Sequence, residues 1–135
     1  MTTIITRSGK GSPLTNTELD NNFINLDTDK IESKVTTISS GATIEPASDN
    51  TQYNVTALAV GSVINAPTGT PVGGWKMLLR IKDDGTSRSL SWNAIYRGIG
   101  VTLPTSTTAG KVMYLGMTYN STDTKWDVNA LMIEA

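Results

Sequence analysis

The sequence predicts a mainly β protein, in which an N-terminal arm and a helix precede a small antiparallel β-sandwich or jelly-roll-like domain. Apolar residues repeat with the period of a helix up to Ile38, and from Thr51 onward they alternate with polar residues as in half-buried strands. Glycine, proline and asparagine separate the alternating segments at regular spacing, which is typical of sandwiches. We expect an arm over residues 1–13, a helix over 14–38, a linker over 39–50 and the β domain over 51–135.

The predicted arm combines a short apolar segment with a flexible connector. Thr3 to Thr6 have the composition of a strand, and glycine and serine dominate from there to Pro13. A strand of four residues is not stable alone. We therefore expect the arm to pair with the edge of a sheet or to dock on another protein.

Several signals agree that a helix begins near Thr15. Thr15 and Glu18 have the spacing of a capping box, in which the hydroxyl and the carboxylate each bind a free backbone amide. Leu14 and Leu19 flank the cap as a hydrophobic staple, and Pro13 disfavours an earlier start.

A narrow apolar stripe follows, with Leu19, Phe23 and Leu26 at i, i+4 and i+7. A neighbouring stripe continues at heptad-compatible spacing through Ile24, Ile31, Val35 and Ile38. The intervening Asn, Asp and Thr residues are mediocre helix formers, so packing must stabilise the helix. The stripe alone is compatible with two interpretations: the helix packs on the core of its own chain, or it associates with the same helix of another copy. The linker that follows favours self-association. The predicted oligomer interface consists of Leu19, Phe23, Leu26, Ile31 and Val35.

The β region contains one predicted hairpin of particular clarity. Asp83, Asp84 and Gly85 stand where a tight turn needs positive φ, between alternating segments at 75–82 and 86–92. The segment 125–133 is apolar in both phases, which predicts a strand covered on both faces. Further strands are expected over 52–60, 62–66 and 111–119.

Composition excludes several classes of function. The 135-residue chain has no cysteine and no histidine, so it lacks disulfides, thiolate catalysis and the usual general base near neutral pH. A net charge of −1 gives no reason to expect nucleic acid as a partner. Without an apolar run of about 18 residues, we expect no membrane insertion.

No group of residues indicates an enzyme. The adjacent Asp83 and Asp84 precede a glycine and fit a turn better than a catalytic pair. The tryptophans and tyrosines could form a carbohydrate platform, but most lie in the apolar phase of a strand and fit a core better. We expect no catalytic residue, no metal site and no cofactor.

The segment at residues 11–26, GSPLTNTELDNNFINL, resembles the PLTNxELDxNFxNL segment near the start of many bacteriophage tail-fibre and related virion structural proteins. The later part of the chain is similar to β domains of small phage structural proteins. The resemblance implies a trimeric virion component, attached to the particle by its N-terminal region. On this basis the expected attachment residues in the arm are Ile4, Ile5 and Arg7.

The resulting interpretation is a non-enzymatic virion protein, made in the bacterial host cytoplasm, that forms a short homotrimeric fibre of the tail or baseplate. Its expected partners are two further copies of itself and other virion structural proteins. A capsid decoration or head-fibre protein is an alternative that the sequence does not separate from it. A second alternative is a carbohydrate-binding module that recognises host surface glycan.

Overall fold

The computed structural model describes residues 3–29 and 33–135, apart from the side chains of residues 27–29. The chain forms two compact units, Met1–Glu32 and Ser33–Ala135. Strands contain 41% of the residues and helices 12%, which confirms the prediction of a mainly β protein.

The first unit contains a short helix α1 (Arg7–Lys10) and a longer helix α2 (Asn16–Asp29). The Thr6 hydroxyl accepts a hydrogen bond from the Gly9 amide at 3.0 Å and thereby caps α1. Gly11 ends α1 in the left-handed conformation, with φ of 73°. The predicted flexible connector is wrong, because capping at Thr6 closes one turn of helix there instead. Residues 3–6 do not pair as a strand within the described chain, and docking of the arm on another protein stays a prediction.

The predicted helix over 14–38 is wrong at its C-terminal end. Residues Val35–Ile38 form strand β1, which pairs in parallel with residues 52–55 of strand β3. β-Branched side chains occupy all four positions of β1, and such residues fit a strand better than a helix. The heptad-compatible spacing that joined Val35 to the helical stripe is thus incidental. Ile31 lies outside the described residues.

The second unit contains nine strands in two sheets. The strands are β1 (Val35–Ile38), β2 (Thr43–Ile44), β3 (Gln52–Leu58), β4 (Ser62–Ile64), β5 (Lys76–Asp83), β6 (Leu90–Trp92), β7 (Tyr96–Gly98), β8 (Val112–Asn120) and β9 (Lys125–Ile133). One sheet has the order β1-β3-β5-β8-β9-β7, and the other has the order β2-β4-β6.

From β1 to β6 the chain alternates between the two sheets. Strands that neighbour one another within a sheet are therefore two apart in sequence, and they run parallel. Only the β5–β8 and β8–β9 pairs are antiparallel. The prediction of an antiparallel domain is wrong for the remaining pairs, because each turn carries the chain across the core instead of back along the same sheet.

The predicted hairpin of residues 75–82 with 86–92 shows the same difference. Gly85 does have the positive φ that the sequence indicated, at 100°. The turn nevertheless delivers the chain to β6, which pairs with β4 in the three-stranded sheet. The turn at Gly85 was thus predicted correctly, but the pairing of the two strands that it connects was not.

A single hydrophobic core draws on both sheets. Ile44 and Ile64 contribute from the three-stranded sheet, and Leu79, Leu115 and Trp126 contribute from the six-stranded one. All five side chains are fully buried.

The predicted linker over 39–50 is wrong because part of it lies in this core. Ile44 is fully buried there, and the side chain of the buried Asn50 donates to the Thr36 hydroxyl at 3.1 Å. The β domain consequently begins before residue 51.

A β-bulge explains the two apolar phases of β9. Between the Gly116–Ala130 and Met117–Val128 pairs, Asn129 is an extra residue without a partner on β8. The insertion shifts the phase, so Val128 and Leu131 both pack toward the core although they are three residues apart. Cover on both faces is therefore not needed to explain this pattern.

Candidate interaction surface on the N-terminal helix

The start of α2 is fixed by the predicted capping box. The Glu18 amide donates to the Thr15 hydroxyl at 3.2 Å, and the Glu18 carboxylate accepts from the Thr15 amide at 2.7 Å. The Thr15 hydroxyl also donates to that carboxylate, at 2.9 Å. Both halves of the box are present, which confirms the predicted start of the helix.

Lys10, at the end of α1, adds an ion pair to the same carboxylate. The Lys10 ammonium, with the Thr15 amide and hydroxyl, lowers the pKa of Glu18 from its ordinary 4.5 to about 2. The contact joins α1 to the first turn of α2, so the arm is tied to the helix that follows it.

Two asparagines of α2 bind the backbone of the arm. The Asn22 side chain accepts from the Ile5 amide at 2.8 Å and donates to the Ile5 carbonyl at 2.7 Å. The Asn25 side chain donates to the Thr3 carbonyl at 2.8 Å. We call these three hydrogen bonds the asparagine clasp. They bind the backbone of the arm as a neighbouring strand would, but the groups that bind it are side chains of a helix.

The arm and the apolar stripe occupy adjoining faces of α2. Glu18, Asn22 and Asn25 have the same i, i+4, i+7 spacing as the stripe, displaced by one residue and hence by about 100° around the helix. The stripe itself lies in solvent: Leu19 is 46% exposed, Phe23 65% and Leu26 58%. Large apolar side chains that are contiguous and exposed mark an interaction surface.

The predicted attachment residues of the arm are exposed as well. The side chains of Ile4 and Ile5 are exposed, although the clasp engages the Ile5 backbone. Arg7 is exposed at the first position of α1. Of the predicted interface residues, three lie together on α2, whereas Val35 belongs to strand β1 of the other unit.

Asn22 and Asn25 were not predicted as functional residues. The sequence does contain a signal for them, since they repeat the spacing of the stripe one position earlier, within a helix otherwise poor in helix formers. Asparagines at that spacing form a polar face on the helix. Such a face can bind the backbone of another segment as readily as it binds water.

The carboxylates of the predicted turn have structural partners. Asp83 is buried and accepts hydrogen bonds from the Thr107 hydroxyl at 2.6 Å, the Gly110 amide at 2.7 Å and the Gly85 amide at 3.0 Å. Burial by itself would raise the pKa of Asp83, but these hydrogen bonds outweigh it and lower the pKa. Asp84 instead pairs with Arg88. The two carboxylates have separate partners and do not form a joint site.

A second charged group lies at the β8–β9 turn. The Arg97 guanidinium contacts Asp123 and Asp127, each at 2.8 Å. Its hydrogen bond lowers the pKa of Asp127, against the opposing effect of burial. Sequence analysis did not predict this group, because it predicted neither β7 nor the pairing of β7 with β9.

Within residues 3–29 and 33–135, leaving aside the side chains of residues 27–29, no three His, Cys, Asp or Glu side chains converge closely enough to hold a metal ion. Neither helix in this part of the chain has the length and hydropathy that a bilayer span requires. Comparison with protein-family models, curated proteins and solved structures gives no match to this chain.

Proposed function

We propose that this chain is a non-enzymatic structural protein of a bacteriophage virion, which forms a short homotrimeric fibre of the tail or baseplate. The exposed stripe of Leu19, Phe23 and Leu26 is the observation that carries the proposal. A helix of this length is marginal in water, and burying the stripe against equivalent helices would stabilise it. The resemblance of residues 11–26 to phage fibre proteins supports three copies and a virion location.

In this proposal the arm and the helix have different roles. The stripe packs around a threefold axis, where Leu19, Phe23 and Leu26 of each copy meet. The side chains of Ile4, Ile5 and Arg7 contact another virion protein, while the clasp holds the Ile5 backbone on α2. The β domain then projects from the particle and supplies bulk.

The test introduces a charge into the stripe. Phe23→Asp places a carboxylate where three copies would bury a phenyl ring, so the variant is expected to be a monomer at micromolar concentration, whereas the unaltered chain is a trimer. Size-exclusion chromatography with light scattering measures both masses.

Asn21→Asp is the matched control, since it adds the same charge at an exposed position on the opposite side of α2 and should leave the trimer intact. A monodisperse monomer from the unaltered chain at micromolar concentration would overturn the oligomeric part of the proposal. Immunogold labelling of phage particles tests the location, and label on the capsid would replace the tail assignment with a decoration role.

A further inference from the structure

Strand β5 presents a row of positive charges on the face of the sheet that points away from the core. Burial alternates along β5, with buried side chains at Met77 and at every second residue after it. The residues between them therefore lie on the outward face. They are Lys76, Leu78, Arg80 and Lys82. The three cations, which we call the β5 cation row, extend over about 20 Å of the strand.

The β5 cation row differs from the remaining lysines and arginines of the β unit, which all have partners. Lys34, Arg88 and Arg97 form ion pairs, and the ammonium groups of Lys111 and Lys125 donate to backbone carbonyls. In the part of the chain whose side chains are described, the cations of β5 form no ion pair and no side-chain hydrogen bond. Charges of one sign that are gathered on one surface and left unpaired favour a partner of the opposite sign.

An apolar strip adjoins the β5 cation row on β8 and β9. Opposite Arg80, the same outward row of the sheet continues with Tyr114 on β8 and Met132 on β9. The Arg80 guanidinium lies 5.9 Å from the centre of the Tyr114 ring, and Met132 is 54% exposed. In the neighbouring row, Gly116 and Ala130 have little or no side chain and leave a shallow depression. The surface is thus cationic on one side and apolar on the other.

We propose that this surface docks an acidic amphipathic helix of another protein. Strands β5, β8 and β9 each have a neighbouring strand on both sides, so the sheet already pairs their backbone groups. A partner that lies on this face must satisfy its own backbone groups, as a helix does and an extended segment does not. Carboxylates on one flank of the helix pair with the β5 cation row, while its apolar side chains contact Tyr114 and Met132.

The dimensions of the surface set the size of the partner. A helix of about 14 residues has the length of the β5 cation row, and its width of about 10 Å covers the two strand spacings from β5 to β9. Because all the residues of this surface belong to the β unit, the inference goes beyond the proposed fibre function and does not depend on trimerisation.

The test uses the full chain and two synthetic helical peptides of about 14 residues with the same apolar face. One peptide carries glutamates along a flank, and the other carries glutamines at those positions. Fluorescence anisotropy of the labelled peptides measures the dissociation constants. The glutamate peptide should bind about tenfold more tightly at low salt, and the difference should shrink as added salt screens the charges.

Variants of the chain test each half of the surface. Arg80→Gln should weaken binding of the glutamate peptide about threefold, whereas Arg88→Gln, the same change at a half-buried arginine paired with Asp84, should leave it unchanged. Met132→Gln should weaken binding of both peptides about threefold through lost apolar contact. Ile133→Gln makes that change one residue later, on the other face of β9, and should have no effect.

The inference is overturned if neither peptide binds at millimolar protein, if the two peptides bind equally, or if each variant and its control weaken binding alike. It is also overturned if inorganic polyphosphate binds more tightly than the glutamate peptide and loses affinity in Arg80→Gln, because the surface is then a site for a phosphate polymer. Light scattering on the same samples reports the oligomeric state, so failure of the docking surface and failure of the trimer are distinguishable.

Discussion

At the scale of single residues, the side chains that matter most are polar groups with several partners. Asp83 shows how a buried carboxylate is stabilised without a cation, since one hydroxyl and two backbone amides donate to it. Asp83 thereby fixes the turn after β5 to the loops at Thr107 and Gly110. In the sequence, Asp83 could be taken for a catalytic acid, but in the structure it connects the turn to the neighbouring loops.

We expect Asp83→Asn to lower the free energy of unfolding of the β domain by about 2 kcal/mol near pH 7, because the charge-assisted hydrogen bonds are lost. The pKa of Asp83 is lowered in the folded state, so its contribution is present above the ordinary pKa of 3.8 and disappears as pH falls through the folded-state value. Urea titrations at neutral and acidic pH measure both effects.

The matched control is Asp49→Asn, because Asp49 pairs with Lys34 through half-exposed side chains. It should change the free energy of unfolding by less than about 0.5 kcal/mol. Equal losses for the two variants, or a difference that persists unchanged at acidic pH, would contradict the anchoring role of Asp83.

At the scale of elements, α2 uses adjoining faces for different purposes. Glu18, Asn22 and Asn25 bind the arm and α1, whereas Leu19, Phe23 and Leu26 remain exposed. The clasp relies on a few hydrogen bonds at exposed positions, and each of these contributes only about 1 kcal/mol. The clasp by itself therefore holds the arm on α2 only weakly.

Asn22→Ala should release the arm while keeping α2 helical, since alanine is the better helix former. Hydrogen exchange followed by NMR should show the Ile5 amide exchanging about fivefold faster in the variant, because its acceptor is gone.

Asn21→Ala removes an exposed carboxamide of the same helix and serves as the control, with exchange at Ile5 as slow as in the unaltered chain. If the Ile5 amide exchanges at the same rate in all three proteins, the asparagine clasp does not form in solution.

At the scale of the whole molecule, the two units differ in how they are stabilised. The β unit has a core of fully buried side chains drawn from both sheets. The described part of the first unit has no buried side chain, and the contacts described above within it are the caps, the Lys10–Glu18 ion pair and the clasp. We therefore expect the proposed association of helices to stabilise the first unit far more than the second.

Dilution should affect the two units differently. In a trimer that dissociates, the helical circular dichroism signal falls as protein concentration drops, because a lone helix of this length is marginal. Tryptophan emission should stay constant, since Trp75, Trp92 and Trp126 all lie in the β unit.

The Phe23→Asp variant supplies the reference signal, because it should show the low helical signal even at high concentration. A helical signal that is independent of concentration, and equal in the two proteins, would count against helix association as the source of stability.

The amino-acid sequence by itself determined the local features of this protein. The capping box at Thr15, the positive φ at Gly85 and most strands from β3 onward follow from residues close together in the chain. Side-chain chemistry, backbone preference and hydrophobic period are local properties, so neighbouring residues suffice to specify them.

Only the tertiary structure decided which strands pair, where the β domain begins and what the arm contacts. The strand formed by Val35–Ile38 pairs with residues distant in the sequence, and Ile44 is buried because the two sheets close over it. The phase of β9 depends on a bulge opposite β8. No short stretch of sequence indicates which strands pair in parallel. Each strand and its partner are separated in the chain by a strand of the other sheet, so they meet only after the chain has crossed the core and returned.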